Sequence, residues 1–284
     1  FNFPLSYRDP FVISINDLTL LHFAGRSRTS RFKTRPMRFV MQQGANRSLS
    51  VLTYSRHQKD LITENFNVDP GKVEVIYLAV DEQFRPSAPA EVATFRKRKK
   101  LEGPFMMYTG QWREHKNLVR LFKAFARIKH ETAATLVLVG KEDRAFPIIP
   151  RTVKELGLED RVVFTGFVED DDLPLYYAAA DLFVFPSLSE GFGLPPLEAM
   201  ACGTTVASSS APPMPEILGD AAVYFDPNDT EDMARVLVSL LGDAQKREAY
   251  REQGFAQTKR YSWEQTATQT YQSYETALRR LRRK

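Results

Sequence analysis

Residues 181–203 read DLFVFPSLSEGFGLPPLEAMACG. The run 182–185 is apolar at every position, as suits a strand buried on both faces of a parallel sheet. It breaks into a loop holding Glu190, Gly191, Phe192 and Gly193, followed by Leu194. Pro195 and Pro196 suit the first turn of a helix, which closes at Gly203. In open α/β sheets ligands bind beyond the carboxyl ends of strands, where such loops meet helix N-termini. Two glycines let backbone amides approach an anion, and the helix dipole favours negative charge there. Phosphate or diphosphate is the natural guest. Glu198, eight positions after Glu190, lies inside the helix. Carboxylates beside an anion site do not bind phosphate themselves; they suit hydrogen bonds from sugar hydroxyls. On residue types alone a plainer pair of roles stays open, with Glu198 complementing the helix dipole and Glu190 capping the helix. The loop lacks the third glycine of the dinucleotide fingerprint, which weakens a nicotinamide reading.

Outward from this stretch, strand-length apolar runs at 105–108, 135–139, 162–165, 205–207 and 223–225 alternate with helical segments. With 182–185 they make six, enough for a whole doubly wound α/β domain. Leu118, Leu121, Phe122, Phe125 and Ile128 follow helical spacing after the first of them. The three acids 170–172 suit a helix N-terminus. The first hundred residues offer only the runs 11–15, 50–53 and 73–76, with a helical stretch at 56–65. That is half a domain, so the N-terminal portion is expected to be incomplete. The stretch PSAPAEVATFRKRKKLEGP at 86–104 reads as an interdomain connection. The expected organisation is a partial N-terminal domain at 1–100, a complete domain at 101–262 and a last helix at 263–284. Ser262 and Gln265 form a capping-box pattern for that helix. Ala267, Tyr271, Tyr274, Leu278 and Leu281 give it an apolar stripe, and five basic residues close it.

Composition narrows the function classes. The 284 residues are 43% hydrophobic and 12% aromatic, which excludes a mainly disordered chain. No apolar run approaches the ~20 residues that a membrane-spanning helix needs. The single cysteine, Cys202, excludes a disulfide framework and a cysteine zinc ribbon. A net charge of +4 gives no case for nucleic acid as a partner. Seven basic residues and no acidic one fall within 25–48: Arg26, Arg28, Arg31, Lys33, Arg35, Arg38 and Arg47. They read either as a solvated face or as a surface for anionic headgroups or an anionic acceptor, giving peripheral membrane contact.

The segment SEGFGLPPLEAMACG resembles the signature of the retaining, nucleotide-sugar-dependent glycosyltransferases of the GT-B fold (family four, glycosyltransferase group 1). Further segments fall in that family's order: YTGQWREHKNL (108–118), LVLVGK (136–141), FTGFV (164–168), LPLYYAAAD (173–181), PEILGDAA (215–222) and YSWE. VISINDLT, SRHQKDLI and VEVIYLAVD resemble later parts of its N-domain. The resemblance implies two Rossmann-like doubly wound domains with an interdomain cleft, the last helix crossing back to the N-domain. It implies that about 80–100 residues of the family's opening, with a glycine-rich acceptor loop, are missing. The chain is then expected to bind nucleoside diphosphate without transferring sugar.

By the same resemblance, Glu198 accepts from the donor's ribose hydroxyls and Glu190 faces the transferred sugar. The amides of Gly191, Phe192, Gly193 and Leu194 meet sugar and diphosphate, and Gly110 belongs to the phosphate-binding loop. Lys116 neutralises the departing diphosphate with help from Arg113, and Phe167 and Val168 border the base. Asn16 and Asp17 lie on the acceptor side, where relatives usually carry a histidine before the aspartate. His22, six residues on, reads as structural. Tyr77–Asp81 stands where relatives tend to read PNGVD. The implied reaction moves a hexosyl unit, on the likeness to bacterial mannosyltransferases of polysaccharide assembly a mannosyl unit from GDP-mannose, to a glycan or lipid-linked acceptor. No metal and no cofactor is implied, and the location is cytoplasmic, at the inner membrane face. A nucleotide-sugar-binding fragment without catalysis and a GT-B epimerase or phosphorylase are the rival readings.

Overall fold

The computed structural model describes residues 3–23 and 28–282, with side chains throughout except at 20, 22 and 28–33. The chain divides into two compact units. The first comprises Phe1–Ala79, Ser189–Phe192 and Tyr261–Lys284; the second comprises Val80–Leu188 and Gly193–Arg260.

In the first unit, β1 (Val12–Ser14), β2 (Ser50–Thr53) and β3 (Val73–Val75) form a parallel sheet in that order. α1 (Thr19–Phe23) and α2 (Arg28–Arg47) join β1 to β2, and α3 (Arg56–Phe66) joins β2 to β3. Ser55 starts α3 by accepting from the Gln58 amide, a cap that satisfies one of the helix's orphan donors. Ile13, Ile15, Met41, Val51, Ile62 and Phe66 pack into the core between sheet and helices. Arg38 donates to the Asn65 carbonyl, and Arg47 donates to the carbonyls of Leu5 and Tyr7. Two of the seven basic residues in 25–48 therefore tie this unit together, while Arg35 is exposed. Arg26 and the side chains of His22, Arg28, Arg31 and Lys33 lie outside the described residues.

The second unit starts with α4 (Pro89–Lys99) and carries six parallel strands: β4 (Phe105–Thr109), β5 (Thr135–Val139), β6 (Val162–Phe164), β7 (Leu182–Phe185), β8 (Val206–Ser209) and β9 (Ala222–Phe225). Their order is β6-β5-β4-β7-β8-β9. The chain winds outward one way from β4 and then the other way from β7, so the strand order reverses between these two. Between the strands run α5 (Leu118–Ile128), α6 (Ile148–Glu155), α7 (Leu173–Ala179), α8 (Leu194–Ala201) and α9 (Met214–Leu218). α10 (Thr230–Leu241) and α11 (Ala244–Thr258) follow β9. Every residue of β7 is buried, which is why its sequence shows no alternation. α5 buries Leu118, Leu121, Phe122, Ala124, Phe125 and Ile128 on one face. Each large side chain there contributes about 1.5–3 kcal/mol.

Two sequence expectations need correction. Residues 86–104 are not a plain connection, because α4 occupies most of them. Phe95 anchors that helix edge-to-face on Tyr176 at 4.8 Å, while Arg98 and Lys99 pair with Asp172. The change of unit falls instead at Ala79 and Val80. As expected of the acids 170–172, Asp172 stands at the N-terminus of α7; its carboxylate is taken by those two cations, the Lys99 bond first in holding its pKa below the usual range. In α12 (Trp263–Arg282), the apolar stripe faces outward, with Tyr271 64% and Leu278 54% exposed. The face turned into the first unit is small and polar. Thr266 donates to the Tyr77 carbonyl and Arg280 to those of Leu49 and Gly71, while Ser273 and Ala277 are buried. Among the described residues no helix is long and apolar enough to cross a membrane.

Phe125 is fully buried and Tyr271 is not, so the two separate core from surface. Phe125→Ala is expected to destabilise the second unit by about 3–5 kcal/mol, and Tyr271→Ala to change stability by less than about 0.5 kcal/mol, both read by chemical denaturation.

Candidate functional site

The strand-order reversal sets the site. In open α/β sheets the two loops leaving the carboxyl ends of the strands at such a point diverge and leave a crevice. Here they are the segment after β4, residues 110–117, and the segment after β7. Asn117 joins them. It adopts a left-handed backbone (φ 60°), a conformation that asparagine tolerates better than most residues. Its buried amide donates to the Pro186 carbonyl at 3.1 Å and to the Pro227 carbonyl at 2.7 Å. The Leu188 amide donates to the His115 carbonyl at 2.7 Å, and the Ser209 hydroxyl to Ser187.

This frame carries Lys116 to the end of β7, with its ammonium 5.5 Å from the centre of the Phe185 ring. Arg113, three residues earlier, pairs with Asp143 in the loop after β5 and lies over the Phe146 ring. The Ala145 amide and then Arg113 hold the Asp143 carboxyl below its ordinary range. Gly110 sits at the turn out of β4, its amide donating to Val139. The loops after β5 and β6 meet through Gly140 and Gly166. Just beyond, Phe167 is 70% exposed and Val168 is half-buried.

On the other side of the reversal, Gly193 heads α8 with φ 96°, and a β-carbon there would come within 2.5 Å of the Met214 side chain. Glycine is therefore required. Pro195 and Pro196 have no N–H, so the unsatisfied donors at this helix N-terminus reduce to the Gly193 and Leu194 amides. One helical turn on, Glu198 receives the Tyr177 hydroxyl at 2.7 Å on Oε2. Burial pushes the Glu198 carboxyl above its usual range; the Tyr177 bond opposes this and the Asp81 charge adds to it. Cys202, one turn further, is pushed up to about 12 by burial and then by Glu198, so it is an inert thiol.

The first unit holds the remaining expected residues. Ser189–Phe192 belongs there rather than with the helix that follows it. Gln58 donates to the Glu190 carbonyl at 2.9 Å and Ser55 donates to the Gly191 carbonyl at 2.9 Å. A β-carbon on Gly191 would lie 2.6 Å from the Asn16 carbonyl oxygen. Phe192 packs on Tyr77 and Tyr261. Asn16 is exposed, and Asp17 accepts from the Thr19 amide. Beside them is a cavity of about 160 Å³, walled by Leu18, Leu21, Met37 and Met41.

Tyr177 and Asn117 escaped the sequence reading. A tyrosine in an otherwise apolar, buried helix signals a hydroxyl that needs a partner, but not which one. Asn117→Ala removes two buried amide bonds and is expected to cost about 2–4 kcal/mol in denaturation experiments. Asn117→Gly keeps the left-handed turn accessible and should lose nearly as much. Parent-like stability of the glycine variant would show that the amide bonds do not hold the frame.

Residues 91–257 match the family described as glycosyl transferases group 1. O-antigen chain mannosyltransferase B of Escherichia coli is 31% identical over 278 residues, covering 96% of this chain and 72% of that protein. O-antigen chain mannosyltransferase RfbU of Salmonella typhimurium is 32% identical over 203 residues, and the match spans only 54% of its length. Among solved structures, HepE of Anabaena in complex with UDP and glucose superposes with a TM-score of 0.82 at 22% identity, over 94% of this chain and 72% of that one. A likeness at that identity carries the fold, which is GT-B. The match over more than half of its residues settles the family: the chain belongs to the glycosyl transferases group 1.

Proposed function

We propose that this chain provides the donor site and part of the acceptor side of a retaining hexosyltransferase that moves mannose from GDP-mannose to a hydroxyl of a glycan or lipid-linked acceptor. The observation that carries the reading is that Lys116 and the N-terminus of α8 both border the Phe185 ring at the end of β7, with the Glu198 carboxylate one turn into α8. Amides and a cation suit a diphosphate; a carboxylate beside them suits ribose hydroxyls. Mannose as the sugar is supported by the names of the two O-antigen relatives.

In this reading the bond between the anomeric carbon and the diphosphate breaks as the acceptor oxygen attacks from the same face. The acceptor proton passes to the leaving diphosphate, so configuration is retained without a covalent intermediate. Negative charge grows on the diphosphate during the step, and Lys116 and the α8 N-terminus stabilise it more in the transition state than in the ground state. Arg113 adds positive charge once released from, or shared with, Asp143. Glu190 faces the transferred sugar, and Phe167 and Val168 border the base. In this reading protein groups supply the positive charge and the reaction needs no metal. The location is cytoplasmic, with the exposed basic residues of α2 touching the inner membrane face.

Glu198→Gln is expected to weaken GDP binding by about 1.5–3 kcal/mol in calorimetry, while Glu190→Gln mainly lowers turnover. Lys116→Ala should lower kcat about a hundredfold with a smaller change in donor KM, and chelator should leave transfer intact. A panel of GDP-, UDP- and dTDP-sugars read by thermal shift identifies the donor. Binding without turnover in the full-length enzyme would overturn the transferase reading, and an unchanged kcat in Lys116→Ala would remove that residue from the mechanism.

A further inference from the structure

Tyr177 is fully buried on α7, its ring edge-on to Phe84 at 5.8 Å and to Phe183 at 5.4 Å. Its main-chain carbonyl accepts from the Thr204 hydroxyl, so backbone and ring are both fixed. The hydroxyl then has one direction to point, and 2.7 Å along it is Glu198 Oε2. We propose that Tyr177 is a positioning residue for donor binding, its hydroxyl orienting the Glu198 carboxylate so that Oε1 is presented to the ribose hydroxyls of a nucleoside diphosphate. The inference rests on the role given to Glu198 above.

The surroundings of Glu198 give the hydroxyl a second consequence. Asp81, from the segment before α4, faces the carboxylate with like charge, and Cys202 on α8 itself carries a neutral thiol. Tyr108 of β4 lies within electrostatic reach of the Tyr177 hydroxyl. α11 packs on α8 with Gly254 against Met200 and Arg251 against Gly203, and Arg251 is paired with Glu248. Burial and Asp81 both disfavour the charged carboxylate, and the Tyr177 bond opposes them. Tyr177 itself stays protonated, since burial and then the Glu198 charge lift it far above its ordinary range. It is a permanent donor.

The sign of the effect follows. Ribose hydroxyls donate to the charged carboxylate, so GDP affinity falls as pH drops through the Glu198 pKa. Removing the Tyr177 hydroxyl raises that pKa, so the acid limb of GDP binding moves to higher pH. Inorganic diphosphate has no ribose and should be indifferent to the change.

The test is calorimetric titration of the full-length protein with GDP and, separately, with inorganic diphosphate, from about pH 5 to about pH 8.5. The parent, Tyr177→Phe and Glu198→Gln are compared, with thermal unfolding recorded for each. Tyr177→Phe is expected to weaken GDP about tenfold near pH 7 and to move the acid limb upward, leaving diphosphate affinity unchanged. Glu198→Gln should weaken GDP and reduce its acid limb to the one that inorganic diphosphate shows, which comes from protonation of the phosphate itself. A Tyr177→Phe profile matching the parent, beside a weakened Glu198→Gln, would overturn the proposal while leaving the Glu198 role standing. Equal weakening of both ligands at every pH would reduce Tyr177 to a packing role and also overturn it. Parent-like GDP binding by Glu198→Gln would remove the underlying reading, and the proposal with it.

Discussion

The side-chain amide of Asn117 is the interaction on which the geometry of the β4/β7 crevice in the second unit depends. A doubly wound sheet makes a crevice wherever its strand order reverses, but the sheet alone leaves the two bordering loops unfixed. One buried asparagine donates to Pro186 after β7 and to Pro227 after β9, while standing at the end of the loop that leaves β4. Because the residue also begins α5, the helix that packs most of its length into the core, loop geometry is coupled to core packing. Lys116 precedes it directly, so the backbone from which that side chain reaches is fixed by hydrogen bonds.

Around this frame charge is distributed in a consistent order. Cationic and amide donors, Lys116 with the Gly193 and Leu194 N–H groups, sit at the loop ends, a setting that favours an anion. The carboxylate of Glu198 sits one turn deeper, half-buried, where desolvation works against it and Tyr177 works for it. Arg113 is different in kind, since its charge is already met by Asp143. A half-exposed pair of that sort contributes little to stability. Its effect is to tie the loop after β4 to the loop after β5.

Much of this was legible in the sequence because parallel strands covered on both faces are uninterrupted apolar runs. β2, β5 and β7 stand where their residues place them, and the spacing of Leu118, Leu121, Phe122, Phe125 and Ile128 marks α5 directly. What was not legible depends on partners distant in sequence. Nothing in SEGF shows that Ser55 and Gln58, more than 130 residues earlier, hold those backbone carbonyls and draw the tetrapeptide into the first unit. α4 reads as a charged linker because only Phe95 is deeply buried in it. In α12 the periodicity is real but the sign is reversed: hydrogen bonds from Thr266, Ser273 and Arg280 select the polar face for packing, and the aromatic stripe is left outside. Hydrophobic periodicity assigns a helix; it does not by itself say which face is buried.

The most direct measurement of the central claim is a crystal structure of the full-length protein with GDP bound. The diphosphate is expected at the N-terminus of α8, within hydrogen-bond distance of the Gly193 and Leu194 amides and facing Lys116, with the ribose hydroxyls on Glu198. A nucleotide bound away from the β4/β7 reversal, or one whose diphosphate meets neither α8 nor Lys116, would contradict it.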